Sequence, residues 1–172
     1  MAKEGHFESQ PTRFVMISTG QIETFREHGG RDALARAVDV IESGRCLGVF
    51  PEGTRSRRKD LPLLQPAKTG FARLAAKFPN VPVVPVSMSI GAREFMPPGS
   101  KIPKPWKRIE IIVDDPITFA QWAQHPDGGG IDDSWVMEVG EFTVEKRQET
   151  MRGLYRKFAD QFIGTMKLRG AP

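Results

Sequence analysis

The stretch that decides the fold of this chain reads Phe50-Pro51-Glu52-Gly53-Thr54-Arg55-Ser56. It follows the apolar run 46–49, which is typical of a buried strand, and it leads into three more cations at 57–59. Pro51 fixes φ and ends strand pairing, and Gly53 permits a positive φ and close approach of the backbone to a ligand. Arg55 offers a planar fork of donors that matches phosphate oxygens in pairs. These residues therefore predict an anion site at the end of a strand.

The other polar residues of this stretch divide into helpers and one exception. Thr54 and Ser56 add hydroxyl groups, and the turn can aim backbone N–H groups inward. Glu52 is the exception, because a carboxylate beside a phosphate repels it. We expect Glu52 to orient Arg55 or to accept a hydrogen bond from a substrate hydroxyl. A second interpretation stays open at this point, namely a turn that ends a strand and keeps its charges in water.

Apolar patterning along the chain alternates between the two periods of regular structure. Short apolar runs predict strands over 13–18, 45–50, 82–89 and 108–113. Helical spacing predicts helices over 31–42, 66–78 and 143–166, with Gly44 as the stop of the first. The single cysteine, Cys46, is interpreted as a small buried residue of the second strand. The alternation implies right-handed crossovers and an α/β fold, a mainly parallel sheet flanked by helices.

This predicted topology also places the anion site. Ligands of open α/β sheets gather beyond the carboxyl ends of the strands, which is where Arg26 and residues 52–55 are expected. Lys68 lies at the start of the second predicted helix and is expected to direct its charge to the same region, where the helix N-terminus adds a positive end. For both cations the alternative is a solvated surface position.

Four blocks of the sequence resemble one family in order and spacing. Residues 50–56 resemble the signature block of the glycerolipid acyltransferases, the family of 1-acylglycerol-3-phosphate (lysophosphatidate) acyltransferases. The other blocks are 20–26, a glycine followed six residues later by an arginine, 68–70, a Lys-x-Gly, and 81–86, a Val-Pro-Val-x-Pro strand. The resemblance extends from about residue 3 to about residue 117. It predicts one partial acyltransferase domain over 1–172, in which 118–172 form a C-terminal loop and helix.

The family's catalytic block, His-x-x-x-x-Asp, does not occur in this sequence. His6, His28 and His125 are followed five positions later by proline, alanine and glycine. We therefore expect a chain truncated at its N-terminus, lacking the N-terminal part of the fold and with no catalytic residue of its own. A family member that has lost catalysis and kept phosphate or lipid binding remains the alternative.

The resemblance implies a reaction and a set of residues. The reaction is acyl transfer from acyl-CoA or acyl-carrier protein, as co-substrate, to the free hydroxyl of lysophosphatidate in phospholipid biosynthesis, with no metal and no other cofactor. The implied residues are Arg26, Gly53 and Arg55 for the phosphate, Glu52 and Thr54 for the glycerol backbone, and Lys68 for longer-range attraction.

Charge and composition limit the partners. The net charge of +4 and the pI near 9.4 permit nucleic acid, anionic lipid or small anions. The densest cations, at 55–59, lie in the predicted anion loop, and there is no zinc-finger spacing and no aromatic RNA-binding block. We expect lysophospholipid and acyl thioester partners and no nucleic acid, although a basic nucleic-acid-binding protein stays a third alternative.

Two features bear on membranes. The sequence has no apolar run of ~18 residues and no basic-then-apolar leader, so we expect no transmembrane helix and no signal peptide in this chain. Residues 95–108 combine proline with four cations and two aromatics, which suits either a membrane-interface loop or an ordered surface excursion. We expect peripheral contact with the cytoplasmic face of a membrane, or a cytoplasmic location.

Overall fold

The computed structural model describes residues 2–3, 10–18, 20–24, 31–53, 56, 58, 60–97, 100 and 102–172. The chain divides into two compact units, Met1–Phe50 and Pro51–Pro172. The first unit contains β1 (Ala2–Lys3), α1 (Gln10–Ser18), β2 (Glu23–Thr24) and α2 (Arg31–Glu42). The strands β1 and β2 pair in parallel.

Helix α2 confirms the first predicted helix and its stop. It buries Ala33 and Ala37, one turn apart on the same face. Its end is closed by Gly44 at φ +73°, whose N–H donates to the carbonyl of Ile41 at 2.9 Å, while the next N–H donates to Val40 at 3.2 Å. This is a Schellman cap, and it needs a residue that adopts a positive φ without strain.

The strands predicted on either side of α2 are not formed. Residues 13–18 belong to α1, and Phe14 is 74% exposed rather than buried in a sheet. An apolar run of four residues suits either element, since its period cannot be read. Residues 45–50 are irregular, and both Cys46 and Phe50 are exposed, so the interpretation of Cys46 as a buried strand residue is wrong.

The second unit carries most of the regular structure. Its helices are α3 (Gly70–Lys77), α4 (Gly91–Phe95), α5 (Phe119–Gln124), α6 (Asp133–Gly140) and α7 (Val144–Leu168). Its strands are β3 (Pro82–Val83), β4 (Val86–Met88), β5 (Ile111–Val113) and β6 (Ile117–Thr118). Helices α3 and α7 confirm the second and third predicted helices. None of the helices in the described ranges is both long and apolar enough to cross a bilayer.

Strand pairing differs from the prediction. The strand predicted over 82–89 is broken at Val84 and Pro85 into β3 and β4. Strand β3 pairs antiparallel with β6, and β4 pairs antiparallel with β5. The described residues thus form one parallel and two antiparallel pairs, not the mainly parallel sheet that was predicted. The prediction failed because strand propensity does not determine which strands pair, and each of the two antiparallel pairs joins a segment before α4 to a segment after it.

The core of the second unit lies where α3, α5 and α7 meet. Phe158 of α7 is 2% exposed, and its ring centroid lies 4.9 Å from that of Trp122 and 5.3 Å from that of Phe119. The Trp122 indole N–H donates to Gln161 at 2.6 Å, so this buried polar group is satisfied. Ser87 of β4 donates to the carbonyl of Met166, which ties the β4–β5 ladder to α7.

Candidate phosphate-binding site

The predicted anion loop is closed by two hydrogen bonds at its base. The N–H of Lys68 donates to the carbonyl of Pro51 at 2.8 Å. A carboxylate oxygen of Glu52 accepts the N–H of Gln65 at 2.7 Å. The two ends of the segment 51–68 therefore lie close together, although they are separated by more than a dozen positions in sequence. We call this segment the 51–68 loop.

Gly53 and Lys68 come into contact across the base of the 51–68 loop. Gly53 has φ +67°, which L side chains rarely adopt. A Cβ built on it would lie 3.0 Å from Lys68 Cδ and 3.6 Å from Lys68 Nζ. The ammonium group of Lys68 is thus beside the glycine that follows Glu52. Lys68 is also two residues before α3, whose first-turn N–H groups add positive potential.

The structure brings together three of the six predicted site residues. Glu52 is half-buried at the base of the loop, and Gly53 and Lys68 are exposed beside it. The other three, Arg26, Thr54 and Arg55, lie outside the described residues. Glu52 accepts a backbone N–H of its own loop, a contact different from the two expected of it, with Arg55 or with a substrate hydroxyl.

One cation of the predicted cluster turns toward its own loop. The guanidinium of Arg58 donates to the carbonyls of Pro62 and Leu64 at 3.2 and 3.4 Å. The guanidinium of Arg58 therefore provides hydrogen-bond donors to two backbone carbonyls of the same loop. Arg58 is exposed, so water shares these contacts.

Three contacts from distant segments hold the loop, and the sequence gives no signal for them. Arg93 of α4 donates through its guanidinium to the carbonyl of Arg58. Arg156 of α7 donates to the carbonyl of Ala67 at 2.7 Å. The N–H of Leu64 donates to the carbonyl of Pro172 at 2.8 Å. Each of these contacts provides a hydrogen-bond partner for a backbone group of the loop that no helix or strand pairs.

The described residues contain no group of side chains that could hold a metal ion, and one of the three histidines lies among them. No three His, Cys, Asp or Glu side chains are grouped in the described ranges. His125 ends α5, and its Nδ1 accepts the N–H of Asp127 at 3.2 Å. His6 and His28 are outside the described residues. In the described part of the site, the ammonium of Lys68 beside Gly53 is the group that could attract an anion.

The comparisons with known proteins agree with the motif blocks. Residues 1–89 match the family model described as Acyltransferase, so the chain belongs to the Acyltransferase family. It is 36% identical over 86 residues to a chloroplastic 1-acyl-sn-glycerol-3-phosphate acyltransferase of Brassica napus. It is 34% identical over 86 residues to a chloroplastic protein of the same description from Arabidopsis thaliana.

These alignments are partial on both sides. Each covers 50% of this chain, but only 24% of the Brassica napus protein and 23% of the Arabidopsis thaliana protein. No solved structure gives a significant match. The resemblance predicted from the sequence blocks is confirmed, and the family match contains the 51–68 loop and Lys68 in full.

Proposed function

We propose that this protein acts in the transfer of an acyl group to the free hydroxyl of lysophosphatidate. The family, and the relatives described as 1-acyl-sn-glycerol-3-phosphate acyltransferases, support this reaction. The structural observation that carries the proposal is the contact of Lys68 with Gly53. It places an ammonium group next to the turn from which Thr54 and Arg55 follow in sequence.

The 51–68 loop is proposed to hold the phosphate of the acceptor. Arg55 supplies two parallel donors, Gly53 lets the backbone come close, and Lys68 adds a compact charge. Arg26 is proposed as a further phosphate ligand. Thr54 is proposed to fix the glycerol backbone.

Glu52 is proposed to act mainly through the loop. Its hydrogen bond to Gln65 fixes the geometry of the turn, which supports a positioning role beside the proposed contact with the glycerol backbone. A carboxylate that accepts an N–H also keeps part of its negative charge away from the phosphate.

The chemical step that we propose needs an activated donor and a base. The acceptor hydroxyl oxygen attacks the carbonyl carbon of an acyl-CoA or acyl-carrier-protein thioester, the C–S bond breaks, and the thiol leaves with the proton. The base is proposed to be the histidine of a His-x-x-x-x-Asp block, which none of His6, His28 and His125 forms. Because a thioester is already activated, we propose that no metal or further cofactor takes part. We propose that binding of the phosphate by the loop positions the acceptor hydroxyl for attack, so that it raises turnover as well as affinity.

The lipid acceptor also bears on location. Lysophosphatidate carries an acyl chain, and we propose that the protein meets it by peripheral contact with the cytoplasmic face of a membrane. We propose further that residues 1–172 form a single acyltransferase domain.

The phosphate role is tested by binding. The probe is a water-soluble, short-chain lysophosphatidate titrated into the 172-residue chain by calorimetry. We expect Lys68→Ala to weaken binding by about three- to tenfold and Arg55→Ala by more, since charged hydrogen bonds to phosphate are lost. Lys157→Ala on the exposed face of α7 is the matched control. Unchanged binding in both loop variants would refute the site.

A second assay separates an enzyme from a binding module. Release of free CoA thiol from an acyl-CoA, with lysophosphatidate as acceptor, is measured for the folded 172-residue chain. We expect phosphate binding without thiol release, because the chain's histidines lack the spacing of the family's base. Thiol release that is lost in His28→Ala or His6→Ala would contradict that expectation and assign the base to this chain. Phosphate binding without thiol release would support the alternative that this chain is a non-catalytic binding module.

A further inference from the structure

The loop between α4 and β5 projects a turn whose corner is an aromatic residue. The N–H of Lys107 donates to the carbonyl of Lys104 at 3.0 Å, so Pro105 and Trp106 are the two central residues of a β-turn. Proline at the first of these positions has the φ that the turn requires. We call residues 102–108 the Trp106 loop.

The base of the Trp106 loop is fixed to α4. The N–H of Lys104 donates to the carbonyl of Phe95 at 2.7 Å. The ammonium of Lys107 forms a 2.9 Å ion pair with Glu94. These two contacts connect the residues on both sides of Pro105 and Trp106 to α4.

Every residue from 102 to 108 is exposed. Its two large apolar side chains are among them, with Ile102 75% and Trp106 74% exposed. Trp122, by contrast, is 5% exposed in the core, and Trp135 is half-buried. A tryptophan exposed to this degree leaves most of its large apolar surface in water, which is unfavourable unless another surface covers it.

The charge of this segment has one sign. Residues 95–109 contain four cations and no acidic residue. Lys107 is paired with Glu94, and Arg108 is 3.7 Å from Glu110 with most of its side chain exposed. Lys104 forms no ion pair with any residue that the structure describes. The Trp106 loop therefore presents two apolar side chains at a tip that carries unneutralised positive charge.

We propose that the Trp106 loop docks on an anionic lipid bilayer, with Trp106 and Ile102 in the headgroup region and with Lys104 and Arg108 on lipid phosphates. Tryptophan favours this depth because its ring is amphipathic, and each cation near an anionic surface strengthens binding. A nucleic acid fits less well, because the apolar side chain of Ile102 forms neither an ion pair with a phosphate nor a hydrogen bond with a base edge. The choice of a lipid partner rests on the proposed function, in which the acceptor is itself a membrane lipid.

The test is sedimentation of the 172-residue chain with vesicles, which needs no turnover. The vesicles are phosphatidylcholine alone or phosphatidylcholine with phosphatidylglycerol. We expect binding to the anionic vesicles and a loss on the order of tenfold in Lys104→Glu, which reverses one charge. Trp106→Ala is expected to lose binding as well. The matched controls are Lys157→Glu and Leu168→Ala, which change an exposed charge and an exposed apolar side chain of α7.

Fluorescence gives a second measurement on the unmodified chain. Bromine-labelled acyl chains quench tryptophans that enter the bilayer, and Trp122 is shielded by the core. We expect quenching in anionic vesicles that Trp106→Phe abolishes. Equal sedimentation of wild type and both loop variants, or quenching that persists in Trp106→Phe, would overturn the proposal. Binding to an oligonucleotide is measured with the same variants. If Lys104→Glu and Trp106→Ala lost binding to the oligonucleotide but bound vesicles as wild type does, the proposal would be overturned in favour of nucleic acid.

The two proposals fail separately. Titration with soluble lysophosphatidate involves no vesicle, so the phosphate site can fail while the Trp106 loop binds lipid. Vesicle binding involves no acceptor, so the loop can fail while Lys68 and Arg55 bind phosphate.

Discussion

The side chain of Lys68 lies against Gly53, so that no Cβ fits at position 53 unless the lysine moves. The same lysine donates its backbone N–H to the carbonyl of Pro51, which keeps the two ends of the loop together. The turn and the cation that it presents are thus a single unit. A change at Gly53 is expected to act on Lys68 even though the substituted atom is small.

Gly53→Ala is expected to destabilise the protein by about 1–2 kcal/mol, because alanine at a positive φ is strained. The added methyl group also displaces the Lys68 side chain, which weakens phosphate binding. Denaturant unfolding and calorimetric titration measure the two effects. Gly153→Ala in α7 is the control, since its Cβ meets nothing within 4 Å and an alanine there favours the helix. A Gly53→Ala variant as stable as wild type would contradict the strain at this position.

Glu52→Ala is expected to cost roughly 1–3 kcal/mol if the N–H of Gln65 finds no new acceptor, and less where water replaces the carboxylate. Glu52→Gln keeps an acceptor oxygen and should retain most of the stability. Hydrogen exchange at the Gln65 amide reports the bond directly, and we expect faster exchange in Glu52→Ala than in Glu52→Gln. Equal exchange in wild type and both variants would show that the carboxylate does not hold the loop. Glu149→Ala, exposed on α7, serves as the control.

Phe158→Ala is expected to destabilise the second unit by about 3–5 kcal/mol, because it removes a ring that is 2% exposed and in contact with four other aromatic residues. Thermal unfolding followed by near-ultraviolet circular dichroism, which senses Trp122, measures the loss. Val144→Ala changes an exposed residue of the same helix and should shift the midpoint little. A comparable shift in both variants would argue against the aromatic cluster as the core.

The ion pair of Asp114 with Arg169 makes stability depend on acid. Arg169 donates two hydrogen bonds, at 2.8 and 2.9 Å, and lowers the pKa of the Asp114 carboxyl; the N–H of Asp115 lowers this pKa further. A depressed pKa stabilises the fold above about pH 4, where the unfolded carboxyl is ionised, and this contribution is lost as pH falls through the folded pKa.

Asp114→Asn is expected to lower the unfolding midpoint at pH 7 and to approach the wild-type midpoint toward pH 2. Midpoints measured across this range give the difference at each pH. Asp39→Asn, which changes an exposed residue of α2, is measured beside it as the control. A difference between Asp114→Asn and wild type that stays constant with pH would exclude the ion pair as its cause.

Local chemistry explains the parts that the sequence predicted well. Helices α2, α3 and α7 follow from apolar residues at helical spacing. Gly44 ends α2 because the hydrogen bonds of a cap with positive φ are formed with carbonyls only a few residues earlier in the chain. Pro51 and Gly53 form a turn for the same reason, since each acts on its own backbone dihedrals. The motif blocks depend only on order and spacing, so they identified the family that the comparisons support.

Contacts between distant residues decided the rest. Residues 82–89 form two short strands that pair with segments beyond α4. The apolar run in 13–18, which is too short to show a period, lies in a helix. The sequence by itself determined the family, the amphipathic helices and the turn that starts the 51–68 loop, because these depend on neighbours along the chain. Only the tertiary structure decided the pairing of the strands, the contact of Lys68 with Gly53, and the guanidinium of Arg93 on the loop. A side chain's partner across space is set by the whole packing arrangement, which no local pattern encodes.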